Sequence, residues 1–264
     1  MIPYFRYTSL PLEPLHIQVW GFFVALGMFI ALLAGYRRAG RRGLDRSAYL
    51  DMAAWMIMAA LVGGRLAYAF FYDPRTFLDD PWELLRLWHG GMSVYGGFFG
   101  AAAAAALFAG VRRLPFFTYA EVFAFMLPLG LAIGRIGCFL IHDHPGVLSN
   151  SWLAVDYPGG ARLDHGLLLV LLDLAIFLSF VVVDRLRRTR QTSFLALFML
   201  IYGFVRFGLD FLRAWDLPGS DARYLGLTPA QFFSLALAVA GLALLLRKTS
   251  ATAAASAAPA AKTL

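Results

Sequence analysis

Four arginines lie at or inside long apolar stretches of the chain, where a charged side chain is costly. They are Arg65, Arg135, Arg206 and Arg213. An arginine at the centre of a membrane helix costs about 2.5–3.5 kcal/mol on insertion scales, so its presence there indicates a function. Guanidinium groups bind phosphate through paired, charge-assisted hydrogen bonds. We therefore interpret Arg135 and Arg206 as anion-binding residues, whereas Arg65 and Arg213 are equally compatible with snorkelling from a helix end to the interface.

Glycines flank two of these arginines. Gly134 and Gly137 flank Arg135, and Gly63 and Gly64 precede Arg65. Glycine lowers helix stability, so its repetition beside intramembrane arginines indicates close backbone approach or a bent segment that lines a cavity. Ordinary packing between small-residue helices is the alternative interpretation.

Two histidines and an aspartate follow the Arg135 stretch, as His142, Asp143 and His144. Histidine titrates near neutrality, so His142 or His144 could act as a base that a neighbouring carboxylate orients. A hydrogen-bonded loop turn is the alternative. A metal site is disfavoured because third and fourth ligands are missing, and the single cysteine, Cys138, excludes a disulfide framework and a cysteine-based zinc site. No cofactor is expected, since the chain has no GxxxxGK phosphate loop.

The elements that position these residues are predicted to be membrane-spanning helices. The 264 residues are 60% hydrophobic and 15% charged, against about 25% charged residues in soluble domains. A spanning helix needs about 20 mostly apolar residues. Seven stretches qualify, at roughly 16–36, 49–72, 91–111, 116–141, 164–184, 193–213 and 228–246. We predict an all-α polytopic membrane protein with one domain over residues 1–248 and an Ala-rich, disordered cytoplasmic tail over 249–264. His165, at the start of the fifth span, is interpreted as an interfacial side chain.

The distribution of basic residues predicts the orientation of these spans. Of 23 lysines and arginines, fourteen follow the first, third, fifth and seventh spans, as Arg37, Arg38, Arg41, Arg42, Arg46, Arg112, Arg113, Arg185, Arg187, Arg188, Arg190, Arg247, Lys248 and Lys262. The positive-inside rule then places the N-terminus outside and the C-terminus in the cytoplasm. Much of the net charge of +7 is thus topological and needs no nucleic-acid partner.

Five stretches resemble those of the prolipoprotein diacylglyceryl transferase family, in the same order and on the same helices. They are GGRLAYAFFYD, HGGMSVYGG, LGLAIGRIGCF, YGFVRFGLDFLR and LTPAQFFSLAL, within a match from about residue 15 to 246. The most specific is the Gly-Arg-x-Gly signature at 134–137. The family has seven helices with the N-terminus outside, in agreement with the charge distribution.

The resemblance implies a multi-pass enzyme of the bacterial cytoplasmic (inner) membrane with its active site toward the outer face. It would transfer the diacylglyceryl group of phosphatidylglycerol to the thiol of a lipobox cysteine in a prolipoprotein signal peptide, forming a thioether and releasing glycerol phosphate. The expected partners are this lipid, these precursors and the bilayer, and the chain is expected to be a monomer. We predict that Arg135, Gly134, Gly137 and Arg65 bind phosphatidylglycerol, and that Arg206, Tyr95, His142 and His144 act in catalysis. Asp210 is one helical turn beyond Arg206 and is expected to pair with Arg206 or Arg213.

The chain departs from the family pattern at three places. Tyr95 stands where the family has a histidine, Cys138 follows the Gly-Arg-x-Gly signature, and Leu168 and Leu169 stand where a Tyr-Glu pair is expected, with Asp173 further on. A phenol with an unperturbed pKa near 10 is a poor base at neutral pH, although it can donate a hydrogen bond. The alternative functions are a phospholipid-binding paralogue without catalysis and an anion or lipid transporter. A retinal protein is excluded because the last span has no lysine.

Overall fold

The computed structural model describes residues 1–12, 15–86, 91–186, 193–217, 220 and 223–257. The helices are α1 (Val19–Arg41), α2 (Arg46–Phe71), α3 (Pro74–Asp79), α4 (Val94–Val111), α5 (Phe116–Ile141), α6 (His165–Leu186), α7 (Phe194–Leu209) and α8 (Pro229–Ala257). Two short 3-10 helices cover Pro81–Leu85 and Asp210–Leu212. The strands are β1 (Ser9–Leu12), β2 (Leu15–Gln18), β3 (Pro145–Leu148), β4 (Ala154–Tyr157) and β5 (Gly160–Asp164).

The seven predicted spans are confirmed as helices. Within the described residues, α1, α2, α4, α5, α6, α7 and α8 are long and apolar enough to cross a membrane. Every predicted end lies within five residues of the observed one, except the end of α8, which continues to Ala257. Large apolar side chains point away from the protein, such as Phe99 and Phe204, which are 79% and 73% exposed. Outward apolar faces are expected of helices whose surroundings are lipid.

The prediction of an all-α fold is wrong outside the spans, where two small antiparallel sheets occur, one before α1 and one between α5 and α6. β1 pairs with β2, and β3, β5 and β4 form a three-stranded sheet with β5 in the centre. β4 and β5 form a hairpin whose turn contains Gly159 and Gly160, both with positive φ. The strands escaped prediction because two of the side chains that β5 buries are charged, Arg162 and Asp164, so the usual apolar alternation is absent.

Residues 32–123 form one compact unit. Its core contains Tyr49 and Met52 of α2, Ala105 and Ala109 of α4 and Val122 of α5. Towards the other end of the α2–α4 pair, small residues bring the two backbones together. A Cβ atom added at Gly63 would lie 2.5 Å from the carbonyl oxygen of Gly96, and one at Gly100 would meet the carbonyl oxygen of Ala59. Gly63, Gly96 and Gly100 thus serve close helix packing, which was the alternative interpretation for Gly63.

Residues 1–31 and 124–264 form the second compact unit, in which the three-stranded sheet joins distant parts of the chain. Ile2 adds to the edge of β4, with its N–H 2.8 Å from the carbonyl oxygen of Ala154. On the opposite edge, Ala214 donates to the carbonyl oxygen of Pro145 in β3 at 3.1 Å. The N-terminus, the α5–α6 connection and the segment after α7 are thereby held in one sheet.

Several predictions fall partly outside the described residues. These are four of the basic residues predicted to be cytoplasmic (Arg187, Arg188, Arg190 and Lys262), the beginning of the HGGMSVYGG stretch at His89 and Gly90, and residues 258–264 of the predicted tail. The first part of that tail, up to Ala257, is helical in backbone as the continuation of α8. The single domain over residues 1–248 stays a prediction.

The close approach of α2 and α4 gives a matched pair of substitutions on one helix. We expect Gly100→Ala to destabilise the protein because its Cβ would meet the backbone of Ala59. Gly110→Ala is the control, since nothing lies within 4 Å of its Cβ position, and alanine is favoured over glycine in a helix by roughly 0.5–1 kcal/mol. Thermal unfolding in detergent should show a lower Tm for the first variant only. Equal Tm values would contradict the packing interpretation.

Candidate functional site

A cavity lies among helices α5, α6 and α7 in the unit formed by residues 1–31 and 124–264. It comprises about 220 Å³ of space between atoms, part of it open to the surroundings, and is lined by Arg135, Cys138, His144, His165, Gly166, Leu169 and Arg206. Arg135 and Arg206, the two arginines interpreted as anion-binding, therefore border one cavity. Two guanidinium groups at one small cavity form a site with the charge and the donors that a phosphate requires.

Arg206 is held at the cavity by two buried acceptors. Its Nη1 lies 2.7 Å from Oδ1 of Asp210 and 2.7 Å from Nε2 of His165. The pairing with Asp210 is the one predicted from the i, i+4 spacing, and Arg213 also approaches the same carboxylate, at 3.8 Å. Because Asp210 is fully buried, the arginine balances a carboxylate that would otherwise be costly to bury.

Asp210 also connects the end of α7 with the beginning of α8. Its Oδ2 accepts a hydrogen bond from the hydroxyl of Thr228. Thr228 and Gln231 form a capping box: the N–H of Thr228 donates to Oε1 of Gln231 at 2.9 Å, and the N–H of Gln231 donates to the Thr228 hydroxyl at 3.2 Å. The LTPAQ stretch thus fixes the carboxylate that orients Arg206, with Pro229 at the first helical position of α8.

Arg135 has a different environment. Among the described residues, the hydrogen-bond partner of its guanidinium is the thiol of Cys138, at 3.9 Å from Nη1. Such a weak partner leaves most of its five N–H donors for a ligand. Nearby, Asp173 is fully buried on α6, and both its carboxylate oxygens lack a hydrogen-bond partner in the described part of the chain. The Asp173 carboxyl group interacts electrostatically with Arg135 and Arg206. The buried acidic group on α6 is therefore one turn beyond Leu169, which stands at the place of the expected Tyr-Glu pair.

The glycines of the Gly-Arg-x-Gly signature pack against α1. A Cβ atom at Gly137 would lie 3.0 Å from Cβ of Phe23 and 3.0 Å from Cα of Trp20, and one at Gly134 would lie 3.7 Å from Val24. Neither glycine lines the cavity. They allow α5 to approach α1 closely, while Arg135 between them borders the cavity. The predicted contact of the two glycines with lipid stays a prediction.

His142 lies in an aromatic cluster rather than in the cavity. Its Nδ1 donates to Oδ2 of Asp164 at 2.6 Å, and its ring stacks on Tyr4 at 5.1 Å between centroids. Phe5, Phe139 and Tyr157 complete the cluster. His142 has a φ of 52°, a conformation that costs energy in most residues and here turns the chain at the end of α5.

Asp164 organises this cluster and the start of α6. Its Oδ2 also accepts from the Tyr157 hydroxyl at 2.6 Å, and its Oδ1 accepts from the N–H of Leu167 at 2.9 Å in the first turn of α6. Burial and the hydrogen bond to Asp164 raise the pKa of Tyr157, so the phenol stays protonated and donates. Arg162 lies on β5, as Asp164 does. It donates to Asp216 at 3.0 Å and holds the pKa of the Asp216 carboxyl below its usual range.

Two further histidines of this unit, His144 and His165, border the cavity. His144 was predicted as a site residue, and its Nδ1 lies 2.7 Å from Oδ1 of Asp143. His165 was interpreted as an interfacial side chain, which is wrong: it is 2% exposed and contacts Arg206. The signal available in the sequence was a polar residue, His165, in the first turn of an apolar helix, directly after the N-capping Asp164. No spacing rule predicts its contact with Arg206, which is 41 residues further along the chain.

Arg65 and Tyr95 belong to the unit formed by residues 32–123. Arg65 is 3% exposed, and its guanidinium donates to the backbone carbonyls of residues 83, 84, 86 and 91, with Oε1 of Glu83 at 3.3 Å. It therefore holds the connection between α2 and α4 in place, and the lipid contact predicted from sequence stays a prediction. Tyr95 is half-buried in the first turn of α4, which Ser93 caps by accepting from the N–H of Gly96 at 3.4 Å.

Comparison with known proteins identifies the family of this chain. A family model described as Prolipoprotein diacylglyceryl transferase matches residues 8–247. A protein of Chromohalobacter salexigens named phosphatidylglycerol–prolipoprotein diacylglyceryl transferase is 35% identical over 242 residues, covering 90% of this chain and 90% of the relative. A protein of the same name from Solidesulfovibrio magneticus is 32% identical over 256 residues, covering 93% and 96%. The chain belongs to the prolipoprotein diacylglyceryl transferase family.

Proposed function

We propose that this protein transfers the diacylglyceryl group of phosphatidylglycerol to the thiol of a lipobox cysteine in a prolipoprotein. The observation that carries the proposal is the cavity bordered by Arg135 and Arg206 in a member of this family. A lipid phosphodiester bears one negative charge, and its cleavage leaves a phosphate monoester with more charge. Guanidinium groups placed where that charge develops lower the energy of the transition state.

In the proposed reaction the cysteine sulfur attacks the terminal glyceryl carbon of the lipid. A C–S bond forms, the bond between that carbon and the phosphate oxygen breaks, and glycerol phosphate leaves with the electron pair. Arg135, whose donors are the less engaged, binds the phosphate, and Arg206 stabilises the leaving group. The thiol proton passes to a base, because the thiolate is the nucleophile.

We assign the base to His144 among the three groups predicted from sequence. Its ring borders the arginine cavity and is paired with Asp143, whereas Nδ1 of His142 is engaged by Asp164 inside the aromatic cluster. The role of Tyr95 as a hydrogen-bond donor in catalysis stays a prediction from the sequence. No metal or cofactor takes part in the proposed displacement.

The proposed orientation has the N-terminus outside, the C-terminus in the cytoplasm and the cavity toward the outer face of the bacterial inner membrane. It is supported by fourteen of 23 basic residues on the connections assigned to the cytoplasm. Secreted precursors carry their cysteine to that outer face. We propose that the protein acts as a monomer.

Substitution of the two cavity arginines tests the proposed function. We expect Arg135→Ala and Arg206→Ala each to lower the rate of thioether formation by roughly 10²–10³, the range for loss of one preorganised donor group. Arg135→Lys should recover only part of the rate, because lysine keeps the charge without the bidentate fork. Purified protein, phosphatidylglycerol and a lipobox peptide are assayed for released glycerol phosphate.

The control for this assay is Arg112→Lys, at a side chain that is 62% exposed and is expected to leave the rate unchanged. Lipid binding without any release of glycerol phosphate would favour the non-catalytic paralogue, and anion flux in liposomes would favour a transporter.

A second prediction separates the two histidines that follow α5. We expect His144→Ala to lower the turnover rate by about 10²–10⁴, the usual contribution of a general base, with unchanged affinity for the lipid. His142→Phe fills the same aromatic cluster and should lower Tm more than turnover. The reverse pattern in turnover would assign the base to His142.

The orientation can be measured because the chain has one cysteine. In a Cys138→Ser background, Asn150→Cys in the α5–α6 connection should react with a membrane-impermeant maleimide in spheroplasts. Ser47→Cys, in the first turn of α2, should react only after the membrane is permeabilised. Labelling of Ser47→Cys in intact spheroplasts would contradict the orientation.

A further inference from the structure

The His165 ring has a defined protonation state in this structure. An arginine side chain carries only donors, so the 2.7 Å contact between Nη1 of Arg206 and Nε2 of His165 requires Nε2 to accept. The ring is therefore neutral, with its proton on Nδ1. That nitrogen is buried and has no hydrogen-bond partner within the described ranges.

The same contact fixes the orientation of the Arg206 guanidinium. Nη1 carries two N–H groups, one directed to Oδ1 of Asp210 and the other to Nε2 of His165. Two acceptors on one nitrogen restrict rotation of the planar group. The N–H groups on Nε and Nη2 are then left for an anion in the cavity, as judged from the part of the chain that the structure describes.

The start of α6 holds the ring rigidly in place. Asp164 caps the helix through the N–H of Leu167, and the N–H of His165 donates to the carbonyl oxygen of His144 at 3.1 Å. Gly166 packs so closely that a Cβ atom there would lie 2.8 Å from the N atom of Phe139. The acceptor is thus preorganised on a rigid element rather than recruited by the ligand.

We propose that His165 is the positioning residue for Arg206: its neutral ring holds the guanidinium in the orientation that binds the lipid phosphate and the departing glycerol phosphate. The proposal rests on the proposed function. The lone pair on Nε2 that a base would use is engaged by Arg206, so His165 acts through the arginine and not on the thiol.

The proposal requires the His165 ring to stay neutral at the pH of the assay. Protonation of Nε2 removes the acceptor and places an imidazolium against a guanidinium. The charged and titratable groups that face the ring are one carboxylate, Asp210 at 3.8 Å from Nε2, and four cationic or titratable side chains, Arg135, Arg206, Arg213 and His144. Since most of these are positive, ring protonation adds repulsion at the phosphate site.

Three substitutions separate positioning from proton transfer. In His165→Gln the side-chain oxygen can reach the place of Nε2 and accept from Arg206, whereas in His165→Asn the polar group reaches only the place of Nδ1. His165→Leu has no acceptor. We expect His165→Gln to lose less than about tenfold in kcat/KM, and His165→Asn and His165→Leu to lose a further 10- to 100-fold, which corresponds to one hydrogen bond to a charged group.

Two further measurements distinguish a positioning role from a purely structural role of His165. The acid limb of the rate–pH profile should be the same in the wild type and in His165→Gln, because the ring stays neutral and glutamine does not titrate, whereas a proton-accepting His165 would lose that limb on substitution. Equilibrium binding of phosphatidylglycerol in detergent micelles should rank the four proteins in the same order as kcat/KM, with Tm measured for each to confirm folding.

The outcomes are distinct. If His165→Gln is as inactive as His165→Asn while both bind the lipid normally, His165 is a proton acceptor and the positioning proposal is overturned. If all three variants match the wild type in kcat/KM and in binding, the proposal is also overturned. A wild type that releases no glycerol phosphate contradicts the proposed function, and the binding order of the four proteins then still decides whether His165 positions Arg206.

Discussion

The ion pair between Arg206 and Asp210 is the interaction on which the site depends. Both side chains are buried at the end of α7, where neither charge would be tolerated alone. The carboxylate is fixed by the Thr228 hydroxyl at the beginning of α8, and the guanidinium by His165 at the beginning of α6. Three helix ends therefore meet through one network, and its arginine borders the cavity at which Arg135 carries the less satisfied guanidinium. The buried charge of Arg206 is tolerated because Asp210 pairs with it and His165 orients it. Its remaining N–H donors stay available to a ligand.

A second carboxylate, Asp164, does comparable work in the α5–α6 connection. One of its oxygens caps α6, and the other accepts from His142 and Tyr157. The cap fixes the start of α6 at His165. The aromatic cluster packs the N-terminal residues against the end of α5. A buried carboxylate with both oxygens hydrogen-bonded fixes the positions of its partners more than it adds stability. Here it fixes the start of α6, and thereby the position of His165, which contacts Arg206 on α7.

Much of the fold could be predicted from the sequence, and the site only in part. The seven spans follow from apolar length, and the Arg206–Asp210 pair follows from the i, i+4 spacing on one helix; both signals are local. The strands around Arg162 and Asp164 could not be predicted, because their buried side chains are charged and find partners far along the chain. Arg65 illustrates the same limit. Its sequence context, two glycines and an apolar helix, matches that of Arg135. Its donors, however, are taken by the backbone carbonyls of residues 83, 84, 86 and 91, which no sequence pattern on α2 predicts.

The sequence by itself determined that this is a seven-span protein of the prolipoprotein diacylglyceryl transferase family with arginines where a membrane opposes them. Hydropathy and helical periodicity are local signals, read over a few neighbouring residues. A contiguous motif such as Gly-Arg-x-Gly can likewise be recognised without the structure. Only the tertiary structure decided which arginines share a cavity, which glycines pack on a neighbouring helix and which histidine contacts Arg206. Those outcomes depend on the facing of helices that are far apart in sequence, and a buried donor takes whichever acceptor that packing brings within about 3 Å.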